Sequence, residues 1–137
     1  MPRYFLEVSY KGTRYSGFQV QHNAVSVQGE VEKAFGILHR GNVEMTGSSR
    51  TDAGVHARQN YFHFDWEKEL HPQFEYKMNA ILPSDIVVHA VYPVADDAHC
   101  RFMALSREYR YYIYRNKDPF LEDRAYYFPY SVDLDRM

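Results

Sequence analysis

The chain has 137 residues, of which 45% are hydrophobic and 17% are aromatic, including 13 Tyr and 9 Phe. These proportions exclude a disordered chain and are sufficient for one globular domain with a real core. Because 16 Lys and Arg stand against 18 Asp and Glu, the net charge is −2, and any nucleic-acid contact must use local basic patches rather than a generally basic surface.

The first part of the chain is predicted to contain a strand, a helix and two further strands. Residues 3–10 alternate apolar and polar side chains, which indicates a strand with one buried face. Apolar residues then recur at helical spacing between an N-cap at Ser26 and a stop at Gly41. A strand, a loop and a second strand are predicted next, over Val43–Thr46, Gly47–Gly54 and Arg58–Trp66.

The second part is predicted to contain a helix followed by two strands. Pro72 suits the first turn of a helix whose apolar stripe begins at Phe74, and Pro83 ends it. Strands are predicted over Ile86–Val94 and Phe102–Arg115. This order predicts a ferredoxin-like α+β fold, in which two helices pack on one face of a mainly antiparallel sheet, as a single domain over residues 1–137.

The segment Gly47–His56 carries more chemically active side chains than a turn requires. Arg50, Asp52 and His56 supply a cation, a carboxylate and a titratable ring. An aspartate beside an arginine in a cleft stays ionised, because the opposite charge favours the carboxylate, and it could act as a nucleophile or a base. The alternative is an aspartate that caps a turn through its own backbone.

This segment resembles the active-site signature of the tRNA pseudouridine synthase A family. In that family the aspartate of Arg-Thr-Asp-Ala-Gly-Val-His is the essential catalytic residue, and it corresponds to Asp52. Other stretches are similar to family blocks on both sides of the signature: Tyr10–Gln21, Ser26–Gln28, Asn79–Ile86, His99–Phe102 and Arg107–Tyr111. The resemblance spans nearly the whole chain but covers only the first half of a family member.

The resemblance implies an isomerase that converts uridine to pseudouridine in the anticodon stem-loop region of tRNA, without a cofactor or a metal. Asp52 would be the catalytic carboxylate, Arg50 would hold the flipped nucleotide or its phosphate, and Tyr109 would stack on the uracil. Extruding a base from its stack costs a few kcal/mol, so such an enzyme needs a pocket that receives the base. The resemblance also implies a homodimer at full length.

Each binding candidate has a structural alternative. Arg50 could form an ion pair with Asp52, and Tyr109 could be one more ring in a tyrosine-rich strand. His56 and Arg58 are candidates for substrate binding only. Arg101 belongs to a set of arginines that would suit phosphate, or that would line a solvated strand face paired with acidic residues: Arg101, Arg107, Arg110 and Arg115.

Metal binding, disulfides and membrane insertion are not expected. The seven histidines show neither HExxH spacing nor an accompanying cysteine pair, so we expect them on the surface or in the core. A lone cysteine, Cys100, excludes an internal disulfide and fits a reducing compartment. Because the first residues also lack the apolar stretch of a signal peptide, we expect a cytoplasmic protein.

A non-catalytic RNA-binding module is the competing function, since RNA-recognition motifs present aromatic side chains on a similar sheet. Their aromatic signature, which begins Lys/Arg-Gly-Phe/Tyr, does not occur in this sequence, and the enzyme is therefore favoured. Residues 131–137 begin like an amphipathic helix and stop after about one turn, too short to be stable alone. We expect a truncated amino-terminal half of a two-half enzyme, with weak or no activity by itself.

Overall fold

The computed structural model describes residues 1–21 and 24–130. His22 and the segment 131–137, in which the sequence suggested a truncated helix, lie outside the described residues. The chain divides into two units, Met1–Ser106 and Arg107–Met137.

The first unit is an antiparallel sheet with two helices. Its elements in chain order are β1 (Arg3–Tyr10), α1 (Val27–His39), β2 (Thr46–Gly47), β3 (Ala57–Asp65), α2 (Phe74–Ile81) and β4 (Ile86–Val94). The strand order is β2-β3-β1-β4, and a 3-10 turn at Gly12–Arg14 follows β1. The predicted α+β arrangement is confirmed.

Helix α1 begins where the sequence predicts and ends one residue earlier than predicted. The hydroxyl oxygen of Ser26 accepts a hydrogen bond from the backbone N–H of Gly29 at 3.0 Å, which satisfies a donor of the first turn. The chain leaves the helix at Arg40, which adopts the left-handed conformation with φ 54°. Gly41 is instead needed for packing, because a β-carbon there would lie 2.8 Å from the Trp66 ring.

The core lies between the sheet and the two helices. In β1 the buried residues alternate, so that Leu6, Val8 and Tyr10 face the helices. The helices contribute Val31 and Phe35 from α1 and Phe74 and Met78 from α2. Fully burying an apolar side chain of this size stabilises the fold by about 1.5–3 kcal/mol. Both helices therefore pack on the same face of the sheet.

The second unit contains little regular structure in its described part. Strands β5 (Ile113–Tyr114) and β6 (Tyr126–Tyr127) pair in parallel. The prediction of a strand over Phe102–Arg115 is therefore wrong except at residues 113–114. A strand needs a partner for its backbone and one buried face, whereas Tyr109 and Tyr111 are 60% and 86% exposed.

No helix among the described residues combines the length and the apolar character that crossing a membrane requires.

Candidate active site

The signature segment forms a loop that joins two neighbouring strands. Strand β2 ends at Gly47 and β3 begins at Ala57, so residues 48–56, called the Asp52 loop here, project from one end of the sheet. The carbonyl of Asp52 accepts the N–H of Val55 at 3.2 Å, which closes a turn at the tip. The side chain of Asp52 is exposed at this tip.

The start of the Asp52 loop is fixed by buried hydrogen bonds. The N–H of Ser48 donates to the carbonyl of Tyr61 at 2.8 Å, and the Ser48 hydroxyl donates to the carbonyl of Cys100 at 2.9 Å. Arg101 donates from Nε to the carbonyl of Gly47 at 3.1 Å. The loop is therefore attached both to β3 and to the segment that follows β4.

Asn60 holds the next residue of the loop. Its Oδ1 accepts from the N–H groups of Ser49 at 3.2 Å and Tyr61 at 2.9 Å. Its Nδ2 donates to the carbonyl of Ser49 at 2.8 Å and to the hydroxyl of Tyr10 at 3.1 Å. The residue is only 4% exposed, so these bonds supply the partners that a buried amide requires.

Thr51, immediately before Asp52, is held through its backbone and its side chain. Its carbonyl accepts the N–H of Phe18 at 3.1 Å. Its hydroxyl lies 2.7 Å from the hydroxyl of Tyr10. The residue that precedes the candidate carboxylate is thus attached to the end of β1 and to residues 11–21, called the first loop here.

His56 lies at the far end of the Asp52 loop and contacts the first loop. Its Nδ1 accepts the backbone N–H of Gly12 at 2.8 Å, so in the neutral ring the proton is on Nε2. A β-carbon at Gly12 would lie 2.0 Å from the carbonyl oxygen of Val55, which shows how closely the two loops pack. His56 was predicted only as a candidate for substrate binding, and its Nδ1 accepts a hydrogen bond from the backbone of the first loop.

The other candidates occupy different surroundings. Arg50 and Arg58 are exposed, and Arg101 is half-buried beside Gly47. In residues 1–21 and 24–130, Arg50 and Asp52 do not form an ion pair with each other, so the structural alternative considered for Arg50 is not found. Tyr109 belongs to the second unit, and its stacking role stays a prediction.

Basic residues outnumber acidic ones at the end of the sheet that carries the Asp52 loop. Four basic side chains belong to the loops and strand ends there: Lys11, Arg14, Arg50 and Arg58. The acidic residues at this end are Asp52 and Asp85, and Asp85 accepts a hydrogen bond from the Tyr15 hydroxyl at 2.5 Å. At the opposite end, Arg3 is neutralised by Asp65 at 2.8 Å. The Asp52 end therefore suits an anionic ligand.

A buried histidine and the lone cysteine form a structural cluster beside this end of β2. The Nδ1 of His63 accepts the N–H of Cys100 at 3.2 Å, and burial lowers the pKa of His63 to about 4. Burial raises the pKa of the Cys100 thiol to about 11, so the thiol stays protonated and is a poor nucleophile at neutral pH. Among the described residues, no group of three or more His, Cys, Asp or Glu could hold a metal ion.

Sequence reasoning did not single out Tyr10 and Asn60 as site residues. A signal was available for Asn60, since it shares a face of β3 with Phe62 and Phe64, and a polar residue in an apolar row must find hydrogen-bond partners. Tyr10 was predicted only as a buried residue of the first strand. Its contact with Thr51 depends on how distant segments pair, which no local pattern encodes.

Comparison with known proteins finds a matching family model and similar relatives. A family model described as tRNA pseudouridine synthase matches residues 7–103. The tRNA pseudouridine synthase A of Parabacteroides distasonis is 42% identical over 139 residues, which cover 100% of this chain and 55% of the relative. That of Staphylococcus aureus is 43% identical over 138 residues, which cover 98% of this chain and 52% of the relative. The chain spans about half the length of the curated relatives it matches.

Proposed function

The chain belongs to the tRNA pseudouridine synthase family, and we propose that it supplies the catalytic half of an enzyme that converts uridine to pseudouridine in tRNA. The observation that carries this proposal is the Asp52 loop, in which an exposed carboxylate stands on a backbone fixed by hydrogen bonds on both sides. Relatives named tRNA pseudouridine synthase A support the same substrate and reaction.

The reaction rearranges bonds within one nucleotide. The bond between uracil N1 and ribose C1′ breaks, the base turns, and a bond forms between C5 and C1′. The hydrogen of C5 is released, and N1 gains a proton, so that product and substrate are isomers. Asp52 is the proposed carboxylate, acting as a nucleophile or a base, and its exposure lets an extruded uridine reach it.

We further propose that the basic residues around the loop hold the RNA. The exposed guanidinium groups of Arg50 and Arg58 can each make two parallel hydrogen bonds to a phosphate. The Nε bond from Arg101 to Gly47 orients that guanidinium beside the loop. His56 and, from the second unit, Tyr109 are the remaining proposed contacts. The anticodon stem-loop is the proposed region of the tRNA.

The relatives extend well beyond the matched region, and we infer from this that the chain works with a second half. That half would complete the cleft around Asp52, so the 137-residue chain alone is expected to have weak or no activity. Adding the remaining half is expected to restore the rate. The full-length enzyme is proposed to be a cytoplasmic homodimer that needs no cofactor.

Release of tritium from tRNA labelled at uracil C5 tests the proposal in the full-length protein. The wild type is expected to release tritium, and Asp52→Asn to lower kcat by at least about a thousand-fold. Because the Asp52 side chain is exposed, the melting temperature should stay within about 1 °C. The matched control is Asp97→Asn, which makes the same change at another exposed aspartate and should leave the rate unchanged.

Two results would contradict the proposal. Undiminished tritium release from Asp52→Asn would remove Asp52 from the chemistry. A wild-type protein that binds tRNA but releases no tritium would favour the non-catalytic RNA-binding module.

A further inference from the structure

We propose that Tyr10 and Asn60 are positioning residues, which fix the direction of the Asp52 carboxylate through the hydroxyl and backbone of Thr51. This inference rests on the proposed function, because it assigns a role in the reaction to side chains that do not touch the substrate. It is carried by a continuous chain of hydrogen bonds from β3 to the residue before Asp52.

The first link is the orientation of Asn60. Its amide makes two acceptor and two donor bonds, and turning it over would place its NH₂ against the N–H groups of Ser49 and Tyr61. Burial makes such an arrangement unfavourable, since a buried polar group without a partner loses the hydration it had in the unfolded chain. The Nδ2 of Asn60 is therefore aimed at the Tyr10 hydroxyl.

The second link is the Tyr10 hydroxyl. Because Asn60 donates to its oxygen at 3.1 Å, the hydroxyl proton can be directed to the Thr51 oxygen at 2.7 Å. The ring is 5% exposed and lies against Phe18 with ring centroids 5.5 Å apart. Because Tyr10 is buried in this way, we expect it to affect the reaction through its hydrogen-bond partners, Thr51 among them, and not by contact with the RNA.

The third link is the position of Thr51. With its carbonyl held by Phe18 and its hydroxyl by Tyr10, the backbone just before Asp52 has little freedom to rotate. An exposed carboxylate on a loose loop would sample many directions, and a displacement of about 1 Å at a reacting group can slow a reaction by about a hundred-fold. The two bonds at Thr51 restrict those directions before the substrate arrives.

Removing one oxygen atom tests the proposal. In the full-length protein, Tyr10→Phe keeps the buried ring and deletes the hydroxyl. Single-turnover tritium release should slow by about ten- to a hundred-fold, as expected for a displaced reacting group. The dissociation constant for tRNA should stay within about twofold, because the exposed basic residues are unchanged. A rate effect without an affinity effect would separate positioning from binding.

Thr51 provides a second, independent variant. Thr51→Val removes the oxygen at the other end of the same bond and should also slow the reaction, but by no more than Tyr10→Phe, which in addition deletes the acceptor of the Asn60 amide. The double variant should be no slower than Tyr10→Phe alone, because the shared bond can be lost only once. Thr51→Ser keeps the oxygen and should restore most of the rate.

Tyr15→Phe is the matched control for lost stability. The Tyr15 side chain is 6% exposed and its hydroxyl bonds Asp85, so the variant also deletes one buried tyrosine hydroxyl. It should lower the melting temperature at least as much as Tyr10→Phe and leave the single-turnover rate unchanged.

The outcomes separate this inference from the proposed function. An active wild type whose Tyr10→Phe variant reacts at the same rate would overturn the inference alone, as would equal slowing by Tyr15→Phe. A wild type that releases no tritium would overturn the proposed function, and the inference with it.

Discussion

The ring of Phe18 packs directly on the backbone of Gly47, so that a β-carbon at position 47 would lie 2.3 Å from Phe18 Cε2. Phe18 cannot move aside easily, because it is fully buried and stacks on Phe62 with ring centroids 4.4 Å apart. This contact joins the first loop to the start of the Asp52 loop, just before the residues held by Asn60.

Gly47→Ala is therefore expected to destabilise the fold. The added methyl group overpacks a rigid aromatic pair, and the free energy of unfolding should fall by at least about 2 kcal/mol, measured by urea unfolding. The control is Gly36→Ala in α1, where the added carbon would lie 3.4 Å from the Gly41 carbonyl oxygen. Since alanine is the better helix former, this control should be neutral or stabilising by up to about 1 kcal/mol. Equal effects of the two variants would contradict the packing argument.

Local patterns predicted most of the first unit. The strand Ile86–Val94 and the helix start at Ser26 were correctly predicted, because a period of two and an N-cap depend on neighbouring residues. Strand β2 is shifted from Val43–Thr46 to Thr46–Gly47, since its bounds are set by pairing with β3. A local sequence pattern does not specify which distant segments pair.

The dependence on pairing between distant segments also explains why the sequence did not predict Tyr10 and Asn60 as site residues. Asp52 and Arg50 were predicted from the signature and Arg58 as a binding candidate beside it, because their chemistry is visible in the residue types, and their roles stay predictions. The link from Asn60 through Tyr10 to Thr51 exists only because β1 and β3 pair with Tyr10 opposite Ala57. The strand predicted at Phe102–Arg115 was wrong because alternation alone cannot show whether a segment has a pairing partner.

Asn79 is expected to stabilise the outer edge of the sheet. Strand β4 is an edge strand, and the Asn79 amide accepts the N–H of Val88 at 2.7 Å and donates to its carbonyl at 2.9 Å. Asn79→Ala removes the side-chain partner of both backbone groups of Val88, so the free energy of unfolding should fall by at least about 1–2 kcal/mol. Asn42→Ala, at an exposed site, should change it by less than about 0.5 kcal/mol. Urea unfolding checks both values, and no difference between the variants would refute this role.

Acid is expected to destabilise the fold through His63. Burial lowers its pKa to about 4 in the folded state, below the ordinary value of 6.5. The unfolded chain therefore binds more protons between these values, and stability present above pH 6.5 is lost as the pH falls towards 4. The charged groups that act on the ring are, in decreasing order of effect, Arg3, His99, Asp65 and Arg101; Asp65 alone favours protonation.

His63→Gln isolates this contribution, because glutamine can still accept a hydrogen bond but does not titrate. Between pH 7 and 4.5, the wild type should lose about 2 kcal/mol more of its unfolding free energy than the variant. Urea unfolding at the two pH values measures the difference. Parallel losses in both proteins would show that His63 does not titrate as proposed.

The exposed arginines are expected to act on tRNA through its phosphates. Each phosphate contact releases counterions, so Arg50→Ala and Arg58→Ala should each weaken binding and reduce the slope of log Kd against log salt concentration by about 0.7–1. Lys33→Ala removes the same charge from an exposed position on α1 and should leave the slope unchanged. Filter binding of tRNA to the full-length protein at several salt concentrations gives these slopes.

Arg50→Ala and Arg58→Ala should differ in their rate of tritium release at saturating tRNA, where weaker tRNA binding no longer limits the reaction. Arg58 lies on β3 beyond the loop, so at saturating tRNA the Arg58→Ala rate of tritium release should approach that of the wild type. Arg50 lies two residues from Asp52 within the loop, and Arg50→Ala should remain slow at saturation if it holds the extruded nucleotide. Arg50→Lys keeps the charge but loses the paired hydrogen bonds, so it should restore the salt slope more fully than the rate. Full recovery of the Arg50→Ala rate at saturating tRNA would show that this residue binds phosphate without taking part in positioning the reacting uridine.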